Sequence, residues 1–210
     1  FTVLGNYRQQ SAGVLELQVL GQGDQGQFDT LVVEGQGELG GRLILDLTAA
    51  DLQPGLELKL LTFNGGFDGQ FESYQMISSD FGKCFVIDAD DFALRTDECY
   101  DSGDMNLDGV VDGGDLQLFA LALADKNAYR NTMLADYSVY VDVVCIGDVS
   151  LNGLFDFDDI SAFAGTAGLA TATVVEAVVA AQRAIPEPAA AGLAMIAGGC
   201  VAARRRRRSS

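Results

Sequence analysis

Two acidic segments of the chain have the residue types and the spacing that a hard cation requires. They begin at Gly103 and Gly147, read GDMNLDGVVDGGDLQLF and GDVSLNGLFDFDDISAF, and have identical residues at seven positions (two Gly, three Asp, one Leu and one Phe) at an offset of 44 residues. Calcium takes roughly six to eight oxygen ligands, which a twelve-residue loop supplies from positions 1, 3, 5, 7, 9 and 12, with glycine at position 6. The two segments therefore predict two calcium loops.

Each loop offers five side chains and one backbone carbonyl. The predicted ligands of the first loop are Asp104, Asn106, Asp108, the carbonyl of Val110, Asp112 and Asp115. Those of the second loop are Asp148, Ser150, Asn152, the carbonyl of Leu154, Asp156 and Asp159. The first set contains four carboxylates and the second three, so we expect Ca²⁺ at two sites, the second weaker. Two acidic surface turns without a metal are the alternative interpretation.

The residues around the loops predict a helix after each loop and none before the first. Residues 99–103, CYDSG, cannot form an amphipathic helix. The apolar positions after the first loop follow the spacing of one helical face, and the second loop is followed by a similar start. These positions are Leu116, Phe119, Ala120 and Leu123, then Ile160 and Phe163. Position 8 of each loop, Val111 or Phe155, is expected to join the loops through a short strand pair.

A duplicated loop with an exiting helix and Asp at position 12 resembles the type I dockerin family over residues 103–168. The resemblance implies calcium binding and docking onto a cohesin module, commonly in polysaccharide-degrading assemblies. Dockerins usually carry partner recognition on the exiting helices, where this chain has Gln117, Leu118, Ser161 and Ala162. Those residues give little support for a standard cohesin-binding face.

The composition argues against catalysis and against nucleic-acid binding. The chain has 30 acidic and 13 basic residues, a net charge of −17 and no histidine. A polyanion repels the phosphate backbone, and the absence of histidine removes Ser-His-Asp triads and His-ligated zinc. We expect no enzyme here. Because the chain opens on strand-like sequence at Phe1, we expect a C-terminal piece of a longer protein, with any catalytic region upstream.

Residues 1–78 show the period-two alternation of strands with one buried face. The apolar rows are Leu15, Leu17 and Val19; Leu43, Leu45 and Leu47; and Leu56, Leu58 and Leu60. Glycines between the rows supply turns. Residues 5–72 resemble the end of bacterial autotransporter-like β-solenoid repeats, and a small sandwich is the alternative.

The C-terminal segment combines three features in a fixed order. Pro186, Glu187 and Pro188 precede fifteen uncharged residues, which precede Arg204, Arg205, Arg206, Arg207 and Arg208. Fifteen helical residues reach about 22 Å, short of the ~30 Å hydrocarbon core. The order resembles the PEP-CTERM sorting signal, which implies export, transient membrane insertion of the tail and its removal by an exosortase-type enzyme. An ordinary tail anchor is the alternative.

The sequence thus predicts a mixed, multi-part chain. Its parts are an all-β unit at 1–78 (a β-solenoid end or small sandwich), an acidic connector at 79–103, a small α dockerin-like calcium domain at 104–168, a linker or weak helix at 169–185, and a tail at 186–210 with a short hydrophobic helix. In an oxidising compartment we expect Cys84 to pair with Cys99, which leaves Cys145 unpaired.

The expected function is that of a non-catalytic exported protein of the cell surface, outer membrane or extracellular matrix. The alternatives are the non-catalytic end of an extracellular polysaccharide-degrading enzyme and a cohesin-type docking module. The expected partners are the exosortase-type enzyme and either a cohesin-like protein or an extracellular polysaccharide.

Overall fold

A computed structural model describes residues 1–21, 28–53, 55–78 and 83–185 of the chain. The predicted sorting residues Pro186, Glu187, Pro188 and Arg204 to Arg208, together with the predicted short hydrophobic helix, lie outside the described residues. Among the helices that the structure describes, none is long and apolar enough to cross a membrane.

The first 77 residues, which we call the coil region, run through three parallel three-stranded sheets. The first contains β1 (Thr2–Val3), β4 (Leu31–Val33) and β8 (Leu61–Phe63); the second contains β2 (Tyr7–Arg8), β5 (Gly37–Leu39) and β9 (Phe67–Gly69); the third contains β3 (Val14–Gly21), β6 (Arg42–Ala50) and β10 (Ser73–Ile77). Paired residues are 30 apart in the first two sheets, as in Val3 and Val33 or Gly37 and Phe67. Successive coils of the chain therefore stack on one another.

The alternating rows of the third sheet place one face in the core. Leu17 of β3, Leu45 of β6 and Met76 of β10 stand in register, and all three are buried. The turn before β6 requires glycine, because Gly41 has a φ of +66° and a Cβ there would collide with the carbonyl oxygen of Gly13.

A fourth, antiparallel sheet joins the coil region to the remainder of the chain. Its strands are β7 (Glu57–Lys59), β11 (Lys83–Asp88), β12 (Ala93–Asp101) and β13 (Val139–Tyr140), in the order β13-β11-β12-β7. Residues from the middle of the coil region and from beyond the first loop thus share one sheet.

Five helices follow in the described residues: α1 (Leu116–Ala124), α2 (Lys126–Tyr137), α3 (Val143–Gly147), α4 (Asp159–Thr166) and α5 (Thr171–Ala184). Helices α1 and α4 leave the two loops as predicted, and Phe119 of α1 and Phe163 of α4 are buried. Helix α5 occupies the stretch expected to be a weak helix or linker. It packs against α1 and buries Val174 and Val178.

The predicted fold class is wrong. The described residues form a mixed α/β fold with four sheets and five helices, and one hydrophobic core extends from Leu17 to Val178. An all-β unit and a separate small α domain would each have enclosed a core of its own. The fourth sheet, which takes strands from both predicted parts, is the reason that they do not separate.

Aromatic rings fill the junction between the coil region and the helices. The ring of Phe71 lies 6.1 Å from that of Phe92 and 5.7 Å from that of Tyr140. The Phe71 N–H also donates to Tyr140 Oη at 3.2 Å. Phe92 and Tyr140 therefore close the end of the coil region.

The predicted Cys84–Cys99 disulfide is wrong, because Cys84 is bonded to Cys145 with the Cα atoms 5.8 Å apart. In the register of β11 and β12, Cys84 stands opposite Tyr100, and Phe85 stands opposite Cys99. The two cysteines therefore project from opposite faces of the sheet. Cys84 is buried, whereas Cys99 is an exposed free thiol.

Candidate functional site

The two predicted loops have the same backbone conformation. Loop 1 (residues 104–115) follows β12, and loop 2 (residues 148–159) follows α3. The fourth positions, Leu107 and Leu151, have φ values of 59° and 57°. The sixth positions, Gly109 and Gly153, have φ values of 88° and 84°, a region that glycine adopts without strain. The duplication seen in the sequence is therefore also a duplication of structure.

The first aspartate of each loop holds the turn with both carboxylate oxygens. In loop 1, Asp104 Oδ1 accepts from the N–H of Asp108 at 3.1 Å, and Oδ2 accepts from the N–H of Gly109 at 2.9 Å. In loop 2, Asp148 accepts from the corresponding amides, at 3.0 and 2.6 Å. Asp at position 1 therefore fixes the conformation of residues 5 and 6.

The last aspartate of each loop closes the ring. Asp115 and Asp159 each accept two backbone N–H groups, one near the start of the loop and one three residues before the aspartate. The donors are Asn106 (3.0 Å) and Asp112 (2.9 Å) in loop 1, and Ser150 (3.0 Å) and Asp156 (2.9 Å) in loop 2. Hydrogen bonds to the first and the last aspartate thus hold both ends of each loop in place.

These four carboxylates are buried, and the described part of the chain offers them no countercharge. Asp104, Asp115, Asp148 and Asp159 are exposed by 5% or less. None of them forms an ion pair with any residue that the structure describes. Burial, and to a lesser extent the neighbouring acidic charges, raise the pKa of Asp104 and of Asp115. Placing negative charge in loop 1 therefore carries an unfavourable electrostatic free energy.

The remaining predicted ligands lie towards the solvent side of each loop. Asp108, Asp112, Asn152 and Asp156 each accept a hydrogen bond from a nearby backbone N–H, and Asn106 and Ser150 donate to neighbouring aspartates. The side chains of Val110 and Leu154 point outward and are 57% and 60% exposed. Over the described ranges, no group of three or more His, Cys, Asp or Glu side chains is arranged to hold a metal. Calcium binding therefore remains a prediction.

The predicted strand pair between position 8 of the two loops is wrong. No β-bridge joins Val111 to Phe155 within the described residues. Each of these side chains instead packs over the glycine that precedes its own loop. A Cβ on Gly103 would lie 2.9 Å from Val111, and one on Gly147 would lie 2.5 Å from the ring of Phe155.

Helix α2 makes a contact with loop 2 that the sequence did not predict. Lys126 Nζ donates to the carbonyl oxygen of Phe155 at 3.0 Å and lies 5.3 Å from the centroid of its ring. The Phe155 ring in turn packs edge-on against Phe119 of α1, at 5.5 Å. A single lysine in a polar helix carries no sequence signal of this role.

The predicted partner-recognition positions on α1 and α4 are only partly exposed. Gln117 and Ser161 face solvent, whereas Leu118 and Ala162 are half-buried.

Comparison of the chain with protein-family models, with curated proteins and with solved structures finds no match.

Proposed function

We propose that the two loops bind calcium and that the chain is a calcium-stabilised, non-catalytic part of an exported surface or matrix protein. The observation that supports this most is the pair of buried, uncompensated carboxylates in each loop, held by the same hydrogen bonds at an offset of 44 residues. Two unrelated acidic turns would not share this arrangement.

The donor set fits calcium rather than a softer metal. Every predicted ligand atom is a carboxylate, amide, hydroxyl or backbone oxygen. A carboxylate oxygen has two acceptor positions. Each oxygen of Asp104 accepts one backbone N–H, whereas Asp148 Oδ1 accepts from both the Asn152 N–H and the Ser150 hydroxyl, which a bound ion would have to displace. Magnesium demands a more regular octahedral shell than a flexible loop of this length provides. Calcium would neutralise the buried charge of Asp104 and Asp115 in loop 1, and that of Asp148 and Asp159 in loop 2.

Calcium would act here as a structural ion. Each loop leads directly into a helix whose phenylalanine, Phe119 or Phe163, belongs to the common core. Ordering the loops therefore orders the starts of α1 and α4. A ligand that binds only the folded state raises the free energy of unfolding by about 2.7 kcal/mol when present at 100 times its Kd.

The proposed export agrees with the disulfide. A bond between Cys84 and Cys145 persists in an oxidising compartment and is rare in the cytosol. The sorting tail at residues 186–210 supports the same destination on sequence grounds alone, with an exosortase-type enzyme as the processing partner.

Calorimetric titration of the full chain with calcium, after removal of metal by a chelator, tests the proposal. We expect two binding events of unequal affinity and a higher Tm in calcium than in chelator. Magnesium at the same concentration is the control and should raise the Tm less. Absence of both calcium-dependent heat and a calcium-dependent Tm would overturn the proposal.

A further inference from the structure

A cleft of about 680 Å³ lies between the third parallel sheet and the segment formed by α2, α3 and loop 2. Residues of β6 and β10 form one wall, and Arg130, Val144 and Leu151 belong to the other. Clefts of this volume commonly hold small organic ligands. The proposed calcium function does not account for this cleft, although Asp148 of loop 2 is one of its lining residues.

Two arginines that form no ion pair among the described residues line the cleft, one of them, Arg130, in the field of Asp142. Neither Arg42 nor Arg130 forms an ion pair with any residue in the described part of the chain, although the chain has 30 acidic residues. Arg95 shows the opposite behaviour, since it pairs with Glu57, Asp88 and Asp91. The Arg130 Nη1 donates to Asn127 Oδ1 at 3.0 Å, but its Nε is buried without an acceptor in that same part.

A tyrosine with a buried hydroxyl is among the residues that line the same cleft. Tyr74 is 2% exposed, and its Oη has no hydrogen-bond partner among the described residues. Burial, followed by the charge of Asp142, raises the pKa of Tyr74 well above its ordinary value, so that the group stays a protonated donor. Unpartnered buried donors are rare in folded proteins. Tyr74 Oη and Arg130 Nε are thus two buried donors for which the described residues supply no acceptor, and both belong to residues that line the cleft.

The charges around Arg130 partly offset each other. Burial is the main cause of the lowered pKa of Arg130, whereas the carboxylate of Asp142 raises it and the positive charge of Arg42 lowers it. An anion bound beside both arginines would add to the favourable interaction that Asp142 already supplies to Arg130. A guanidinium presents parallel N–H donors that match the two oxygens of a carboxylate.

We propose that this cleft binds a small, hydroxyl-bearing monoanion with the chemistry of a sugar acid. Arg42 and Arg130 recognise its carboxylate, and Tyr74 donates to it from the base of the cleft. Ser73 and Gln75 of β10 are placed along the same wall, where they can pair with ligand hydroxyls.

The acidic residues of the cleft favour a monoanion over a dianion. Asp142 and Asp148 both line it, so a phosphate dianion would meet two like charges as well as the two arginines. The exposed side chains of Val144 and Leu151 supply apolar surface for the face of a sugar ring. This proposal does not require calcium in loop 2.

Calorimetric titration of the full chain with sodium D-glucuronate tests the proposal, with D-glucose and glucose 6-phosphate as comparison ligands. We expect saturable binding of glucuronate that exceeds that of the other two at least tenfold, both in calcium and in chelator. Arg42→Gln and Arg130→Gln should each weaken it at least tenfold, and Tyr74→Phe by several-fold. Arg8→Gln is the matched control, because Arg8 is exposed, pairs with Glu38 and lies outside the cleft.

Arg42→Gln should not disturb folding, because the Arg42 side chain is exposed and makes no hydrogen bond within the described ranges. Arg42→Lys keeps the charge and should retain part of the affinity. Lack of saturable glucuronate binding, equal binding of glucose, tighter binding of glucose 6-phosphate, or the same loss in Arg8→Gln as in Arg42→Gln would each overturn the proposal. Failure of calcium to bind, with arginine-dependent glucuronate binding intact, would overturn only the proposed calcium function.

Discussion

The carboxylate of Asp142 accepts a hydrogen bond from the backbone N–H of Met76, 66 residues earlier, at 2.8 Å. Its other oxygen accepts from the N–H groups of Val144 and Cys145, at 2.9 and 3.4 Å, and so caps α3. Met76 belongs to the last strand of the coil region, and α3 leads into loop 2. One buried side chain therefore fixes the entrance of loop 2 to the coil region.

Replacement of Asp142 by Asn should change how stability depends on pH. Burial raises the pKa of Asp142 above its ordinary value of 3.8, despite the three N–H donors and Arg130. Between the two values the folded chain retains a proton that the unfolded chain has lost. This contribution to the free energy of unfolding is therefore complete below pH 3.8 and disappears as the pH rises through the raised pKa.

Because Asn does not titrate, the stability of the native chain relative to Asp142→Asn should fall as the pH rises from 3.8 through the raised pKa. The change amounts to about 1.4 kcal/mol for each unit by which the pKa is raised. Urea unfolding at a series of pH values measures it. The matched control is Asp136→Asn, on the exposed side of α2. Its free energy of unfolding should depend on pH in the same way as that of the native chain. Parallel curves for Asp142→Asn as well would contradict the prediction.

Substitution of the first aspartate should affect one calcium site at a time. Asp104→Asn removes a charge from loop 1, and its amide nitrogen cannot accept from the Gly109 N–H. We expect the calcium Kd of loop 1 to rise at least tenfold, about 1.4 kcal/mol, with loop 2 nearly unchanged. Asp148→Asn should do the reverse, and Asp136→Asn should leave both sites as they are. Calorimetry that finds native affinities in both loop variants would refute the assignment.

The disulfide should contribute substantially to stability. It closes a loop with a sequence separation of 61 residues, for which chain entropy gives about 4 kcal/mol. Cys145→Ala should therefore lower the free energy of unfolding by several kcal/mol, whereas Cys99→Ala should change it by less than about 0.5 kcal/mol, as at other exposed positions. Peptide mapping without reduction should recover Cys84 linked to Cys145. A Cys84–Cys99 peptide would be the contrary result.

The mature, surface-located protein should lack its C-terminal tail. The apolar segment before Arg204 is short for a stable span, and the PEP-CTERM resemblance implies cleavage near Pro186 and Pro188. Mass spectrometry of the native protein should find no peptide that contains Met195 or Cys200. A double substitution, Pro186→Ala with Pro188→Ala, should keep the tail attached and the protein in the membrane fraction. Intact C-terminal peptides in the surface-located protein would favour an ordinary tail anchor.

Local patterns predicted local structure well. The row Leu43, Leu45 and Leu47 became a buried face of β6, because period-two alternation follows directly from strand geometry. The two loops and their exiting helices also lie where glycine and aspartate spacing indicated, since the hydrogen bonds that shape each loop span only a few residues.

Pairing between strands and cysteines that are far apart in the chain could not be predicted from such local patterns. Nothing in Glu57–Lys59 or Val139–Tyr140 indicates that these strands end up in one sheet. The correct partner of Cys84 depended on the register of β11 against β12, which decides the face of each cysteine. The cleft was missed for a similar reason, because Arg42 and Arg130 are 88 residues apart in the chain.

The constant 30-residue register of the first two sheets makes the length of this protein adjustable. Parallel strands are about 4.8 Å apart, so a duplicated coil would extend the coil region by one such step. In the first two sheets, the contacts at the new boundary would repeat those that already exist between neighbouring coils. Phe92 and Tyr140 would still meet the same final coil. Insertion or loss of whole coils would thus change the length of the coil region in such chains while the loops and the cleft keep their geometry.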